Sequence, residues 1–399
     1  MNLPIRGSVL LALLLTAGLG CADGPTPTDP HSQPIEATAE AVTPLVFRQI
    51  SAGSSHTCGV TTDDLLYCWG YNEYGSVGDG TTTRRLKPVP VAGGRMYRQV
   101  SAGVDFTCAL TTGDRAFCWG TNSGDGGGQL GDGSRVNSRL RPVAVLGGHA
   151  FRQVTAGLYH ACAVGTDDRA WCWGSGGYGQ LGDGSVAVRG EPVPVAGSLR
   201  FRHVSAGYTH TCGVTTDDRA YCWGQNKDGQ VGDSTQTTAL RPVPVAGGRR
   251  FRQVDGGLRH TCGVTTDGRA FCWGSNGGGQ IGDGRTAPRR LWPVRAVAGG
   301  LSFRRVEAGG FASCGVTTTN VAYCWGSGAM GNSTREGGNT PVLVEGGHAF
   351  AMVTTGGWHA CGRTTASRGY CWGSNFYGEL GDGTGIDRLL PRAIAPPAP

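Results

Sequence analysis

Fourteen of the fifteen cysteines in this chain fall into pairs whose members stand ten residues apart. The pairs are Cys58 with Cys68, Cys108 with Cys118, Cys162 with Cys172, Cys212 with Cys222, Cys262 with Cys272, Cys314 with Cys324, and Cys361 with Cys371. Their first members recur at steps of 50, 54, 50, 50, 52 and 47 residues, so seven copies of one unit run from about Phe47 to the end. A period near 50 marks a repeat architecture, in which one closed body is assembled from small units. It overrides the two or three domains that 399 residues otherwise suggest.

One unit reads FRQVDGGLRHTCGVTTDGRAFCWGSNGGGQIGDG from Phe251 to Gly284, followed by a variable stretch and then WPVRAVAGG. Phe251 to Val254 alternates as a short strand, and His260 to Thr265 and Arg269 to Trp273 form two more around Thr266-Asp267-Gly268. A three-residue hairpin loop favours a left-handed backbone at its last position. Gly268 adopts that without strain, and Asp114, Asp168 and Asp218 tolerate it in other copies. The run from Pro242 to Val245 is a fourth strand, placed at a sheet edge because proline donates nothing to a ladder.

Centring the loop on Asp267 sets Cys262 directly across from Cys272 on one face. At a non-hydrogen-bonded pair the Cα atoms stand roughly 4.5 Å apart, within disulfide reach. The spacing therefore predicts one disulfide per hairpin. Zinc is the competing reading, but its paired ligands favour two to four intervening residues, and here there are nine.

Composition fits short strands joined by tight turns. Glycine contributes 71 residues and only 16% are charged, yet ten tryptophans and 39% hydrophobic residues exceed what a solvated coil carries. A four-stranded unit cannot bury its two faces alone, and radial stacking lets each sheet cover the next. Cys-Trp-Gly occurs seven times, which makes Trp69, Trp119, Trp173, Trp223, Trp273, Trp325 and Trp372 inter-blade core. The formal charge of +6 is dispersed without a basic run, so no nucleic-acid partner is expected.

The paired cysteines imply an oxidising compartment. One positive charge within Met1 to Arg6 and the apolar run from Val9 to Leu15 read as an export signal, too short to span a bilayer. Ala17-Gly18-Leu19-Gly20-Cys21 resembles a bacterial lipoprotein lipobox, with Gly18 where Leu is usual. Lipidation at Cys21 and ordinary cleavage nearby are the two readings, and a lipid there is the expected membrane attachment. Residues 1–21 are then leader, 22–44 a flexible Pro/Thr/Ala-rich tether, and 45–399 the repeat body.

The run Cys-Trp-Gly-Ser-Asn-Phe-Tyr-Gly-Glu-Leu-Gly-Asp-Gly at Cys371 to Gly383, with the nearly fixed Ala-Gly-x-x-His frame ahead of the hairpins, resembles the regulator of chromosome condensation (RCC1) repeat family. Kelch and WD40 propellers are the rivals, but Trp-Asp is absent and Gly-Gln-Leu-Gly suits neither. The resemblance covers everything after Phe47 and implies an all-β, seven-bladed propeller of four-stranded antiparallel blades. Either the segment before Phe47 or Pro391-Arg392-Ala393-Ile394 could supply a ring-closing strand.

His56, His160, His210, His260 and His359 stand two before the first cysteine of their repeats, with Phe106 and Ala312 in the other two. The expectation is that each fixes a turn by bonding backbone, since seven-fold spacing holds the imidazoles too far apart to share a metal. Asp79, Asp132, Asp183, Asp283 and Asp382, with Asp233 in a variant, form turns and fall short of a calcium ligand set. No metal or other cofactor is expected.

Function is sought where the repeats disagree. Immediately before the His position stand Ser55, Asp105, Tyr159, Thr209, Arg259, Phe311 and Trp358. Varied side chains on a fixed frame are how loops present recognition surfaces, and Tyr, Phe, Trp and Arg are enriched at binding hot spots. Asp105, Tyr159, Arg259, Phe311 and Trp358 are the partner-binding candidates, with the loops at Tyr71 to Tyr74 and Phe376-Tyr377 extending the surface. Repeat six, with Gly331 to Gly338 where the others carry Gly-Gln-Leu-Gly-Asp-Gly, departs most.

No nucleophile and base stand together, so no enzyme is expected. The expectation is an exported, monomeric binding or scaffold module that takes a protein, or a glycan, on one propeller face. Guanine-nucleotide exchange on a small GTPase, which the family resemblance implies, is the alternative.

Overall fold

The computed structural model describes residues 44–123, 126–334 and 337–397. The leader, Cys21 and the tether up to residue 43 lie outside the described residues. The first repeat folds as β1 (Phe47–Ala52), β2 (His56–Thr61), β3 (Leu66–Gly70) and β4 (Arg85–Pro90), hydrogen-bonded in that order as one antiparallel sheet. Six more four-stranded sheets follow in chain order, the last running from Phe350–Thr355 to Arg388–Ala393. In blade five the outermost strand shrinks to Arg289–Arg290.

The hairpins adopt the register that the cysteine spacing requires, with each first cysteine directly opposite its partner ten residues on. Cys58 faces Cys68, Cys108 faces Cys118, Cys162 faces Cys172 and Cys212 faces Cys222. Cys262 faces Cys272, Cys314 faces Cys324 and Cys361 faces Cys371. All seven pairs are joined as disulfides, at Cα separations of 4.0 to 4.1 Å. The closing position of each loop is left-handed: Gly268 at φ 86° is matched by Asp64, Asp114, Asp168, Asp218, Asn320 and Ser367 at 61° to 68°.

The core is a set of slabs between blades. Cys58, Val60, Cys68 and Val77 of blade one meet Tyr97, Val100 and Trp119 of blade two, and the same arrangement recurs around the ring. All seven Cys-Trp-Gly tryptophans are fully buried. Each indole Nε1 donates to a loop carbonyl of the preceding blade: Trp119 to Ser76 at 2.9 Å, Trp223 to Gln180 at 2.9 Å, Trp69 to Glu379 at 2.8 Å. A buried indole N–H without a partner would be costly, so this bond sets the blade spacing as well as the tryptophan's place.

Along the axis, side chains of the innermost strands replace a backbone ladder between blades. Gln49 Nε2 donates to the Val100 carbonyl at 2.9 Å, and its Oε1 accepts the Val100 amide at 3.0 Å. Gln99, Gln153 and Gln253 clamp the next blade in the same way.

Among the described residues neither terminus lends a strand to the other's blade. Every sheet is complete from consecutive strands, and Arg388–Ala393 is the outer strand of its own blade. Of the two closing-strand expectations, Pro391 to Ala393 does form a strand, the outer one of the last blade, while the segment before residue 44 lies outside the described residues. The ring closes by packing, with Phe47, Ile50 and Trp69 against Cys361, Cys371, Leu380 and Ile394.

Candidate functional site

Because the strands are antiparallel, the β1–β2 turns and the β3–β4 loops share one face of the ring. Glycine in each Ala-Gly-x-x-His turn is forced by close approach: a side chain on Gly157 would stand 2.2 Å from the Gly207 carbonyl. That approach lets backbone join turn to turn, with Ser54 N donating to Gly103 O at 3.0 Å and Tyr208 N to Gly257 O at 3.1 Å. The first variable position of the turn is thereby held at the channel mouth. Tyr208, at that inner position, lines the opening together with Ser54 of blade one.

The second variable position faces outward. Trp358 is 56% exposed and Phe311 38%, and their ring centroids stand 5.1 Å apart. Arg259 is exposed and turns to Asp228 at 3.9 Å. Asp105 and Tyr159 are half-buried. Burial, with the Glu73 carboxylate beside it, pushes the Asp105 carboxyl up to about 6. A second aromatic group sits on the same face, where Tyr377 meets Tyr71 and Phe376, each at 4.9 Å, and Phe376 is 66% exposed. The structure therefore brings Phe311 to Trp358, and Tyr71 to Tyr377, while Arg259 turns to Asp228 instead.

The histidines differ from expectation. Each bonds a side chain of the following blade and not the backbone of its own turn. His56 Nε2 lies 2.8 Å from Thr107 Oγ1, His160 2.9 Å from Thr211, His210 2.9 Å from Thr261, and His260 2.8 Å from Ser313. Burial holds His160 and His260 down to about 3, so these rings are neutral fasteners. Among the described residues no three His, Cys, Asp or Glu side chains converge as a cation site. The Gly-Asp-Gly aspartates form turns, as Asp79 does with Thr81 N at 2.9 Å, and also pair with an outer-strand arginine, Asp79 with Arg85 at 2.6 Å.

A cavity on the axis, about 510 Å³, was not legible as a site in the sequence. Its lining mixes amides and hydroxyls with aliphatic side chains and with His203, Arg252, Arg304 and Arg305, and Asp255 and Glu307 stand where other blades carry Ser51, Ser101, Thr155 or Ser205. Arg305 donates to the Glu307 carboxylate, while Asp255 accepts from Ser205 Oγ and Ala308 N, each at 2.7 Å. Burial, then Glu307, pushes the Asp255 carboxyl well above its ordinary value. The replaced Ser/Thr pattern was the available signal.

The model of the RCC1-like domain matches residues 17–303. Over 153 residues the chain is 35% identical to the human E3 ubiquitin-protein ligase HERC2, a stretch that is 38% of this chain but 3% of that protein. Human WBSCR16 superposes with a TM-score of 0.75 at 19% identity, covering 83% of this chain and 95% of its own. Prp20p from Saccharomyces cerevisiae, whose structure is described with its binding to Gsp1p and histones, superposes with a TM-score of 0.69 at 21% identity, covering 77% and 80%. These likenesses carry the fold; the chain spans a small part of the curated relative's length.

Proposed function

The chain belongs to the RCC1-like domain family, and from that premise we propose that it is an exported binding module that grips a protein partner on the face bearing the Ala-Gly-x-x-His turns. One observation carries this reading: Phe311 and Trp358 stand exposed together at equivalent places on a scaffold whose other repeated tryptophans are wholly buried. Large aromatic side chains left in water on a rigid frame are the anchors of protein interfaces. Tyr159, Arg259 and Asp105 complete the outer ring of the same face, and the group around Tyr377 enlarges it.

In this reading residues 1–21 direct export, Cys21 carries a lipid, and residues 22–44 tether the ring to a membrane surface. Seven disulfides support an oxidising compartment. The same feature weighs against the second reading, nucleotide exchange on a small GTPase, which needs a reducing cell interior. The ligase activity of HERC2 is not carried over, because the match covers 3% of that protein.

The test is site-specific photo-crosslinking from position 358 and, on the opposite face, from the hairpin loop at position 267. Adducts to a protein from 358 alone, lost when Tyr159, Arg259 and Phe311 are changed to Ala, are the expected result. Equal capture from 267 and 358 contradicts the assignment of the face. Adducts to polysaccharide only would replace the protein partner with a glycan.

A further inference from the structure

Repeat six lacks three residues of the loop that follows its Cys-Trp-Gly. Four residues separate Gly373 from Gly378 in blade seven, whereas Ser327 alone separates Gly326 from Gly328 in blade six. The equivalence holds in space, since Trp372 Nε1 donates to Ala329 O as Trp69 Nε1 does to Glu379 O. The missing residues have a position-specific role elsewhere. In blades one and four they supply Glu73 beside Asp105 and Asp228 beside Arg259, so the loop of one blade covers the ring member of the next. Blade six supplies no such cover for Trp358.

A groove of about 340 Å³ opens there, lined by Gly328, Trp358, Gly373, Ser374, Asp387, Arg388 and Leu389. Phe311 packs on Trp358 without lining the groove. Asp387 Oδ1 accepts the Asn375 amide at 3.0 Å, and among the described residues no Lys or Arg pairs with this carboxylate. Arg388, which also lines the groove, turns its guanidinium to Asp382 at 2.8 Å, so its charge is met there and not by Asp387. An indole wall, an aliphatic wall and an unneutralised carboxylate thus share one opening.

We propose that this groove receives an arginine side chain of a protein partner, an assignment that rests on the reading of this face as a protein-binding surface. A guanidinium stacks on an indole and is less strongly hydrated than an ammonium, so it loses less on leaving water. Leu389 takes the aliphatic stem, and the carboxylate accepts a charge-assisted hydrogen bond. A neutral sugar would match the indole but leave the Asp387 charge unbalanced.

The experiment follows the tryptophan indole N–H signals by nuclear magnetic resonance, with the Trp358 signal identified as the one missing from Trp358→Phe. The probes are N-acetyl-arginine methylamide, its uncharged citrulline counterpart and maltotriose. The expected result is a saturable shift of the Trp358 signal by the arginine compound, with affinity on the order of millimolar for so small a probe. Citrulline binds ~10-fold more weakly or worse, Asp387→Asn weakens the arginine compound by a similar factor, and added salt weakens it further. Asp387→Asn keeps the Oδ1 acceptor for Asn375, and undiminished dispersion of the other indole signals reports that it folds. Absence of saturation, equal binding of citrulline, indifference to Asp387→Asn, or tighter binding of maltotriose each overturns the arginine assignment. If protein adducts still form from position 358 after such a result, the binding face stands and only its groove has been misassigned.

Discussion

His359 Nε2 lies 2.8 Å from the hydroxyl of Thr57, a residue 302 positions earlier in the chain. Thr57 donates its only hydroxyl proton to the Glu379 carbonyl at 2.8 Å, so the histidine must donate from Nε2. The pair repeats around the ring wherever a histidine is present. Where Phe106 and Ala312 replace it, the facing positions one blade on are Ala161 and Ala360. Fastener and partner change together, which ties the residue at one position of a repeat to a different position of the next.

A double-mutant cycle measures that tie. His359→Ala leaves a cavity and an unserved hydroxyl, and should cost about 2 to 3 kcal/mol in denaturant unfolding of the oxidised protein. Thr57→Ala should cost about 1 to 2 kcal/mol. The double variant imitates the native Ala312/Ala360 contact and should be more stable than the sum of the singles by about 1 kcal/mol. Strict additivity would mean that the two side chains do not interact.

Acid should loosen the ring through these histidines. Burial holds His56 and His210 down to about 4, and His160, His260 and His359 down to about 3, while the unfolded chain titrates near 6.5. Groups depressed in the folded state stabilise it fully above 6.5 and lose that contribution as pH falls toward 4 and 3. Each contributes a slope of about 1.4 kcal/mol per pH unit inside the window. Asp255, Asp105 and Glu379, each raised chiefly by burial, work in the opposite direction, but three carboxyls face six buried histidines, since burial also holds His203 down to about 3. Unfolding midpoints in guanidinium should therefore fall steeply from pH 7 to pH 4.5. His260→Gln should flatten that fall, and a level profile would contradict the neutral-fastener account.

Closure by packing makes the chain ends interchangeable with any interior break. Pro44, Leu45, Ile394 and Pro396 line one cavity, so the ends are neighbours. A circular permutant opened in the exposed turn at Gly247-Gly248, with residue 397 joined to residue 44, should fold and stay within about 2 kcal/mol of the parent. Failure to form the seven disulfides would show that the natural ends carry something the sheets do not.

Much of this was legible because it is local. The hairpin register follows from the Cys262 and Cys272 spacing and from Gly268 between them, within one repeat. The histidine contacts were not read, because the partner lies one repeat away and, for His359, at the other end of the chain. Comparing each histidine with the residue before the next repeat's cysteine would have found it. Tyr208 escaped notice because its repeat frame is ordinary; only the backbone joining of the turns puts it at the mouth. The outer ring was read only as positions; which members meet depends on loop length, and the shortened loop of repeat six leaves Trp358 open beside Phe311.

The most direct check is disulfide mapping by mass spectrometry, without reduction, on protein whose free thiols were first alkylated in denaturant. The account predicts seven cross-linked peptides, each joining cysteines ten apart as in Cys262 to Cys272, and no alkylated cysteine within residues 45–399. Alkylation of these positions, or a bridge joining two different blades, would contradict a ring of separately clasped hairpins.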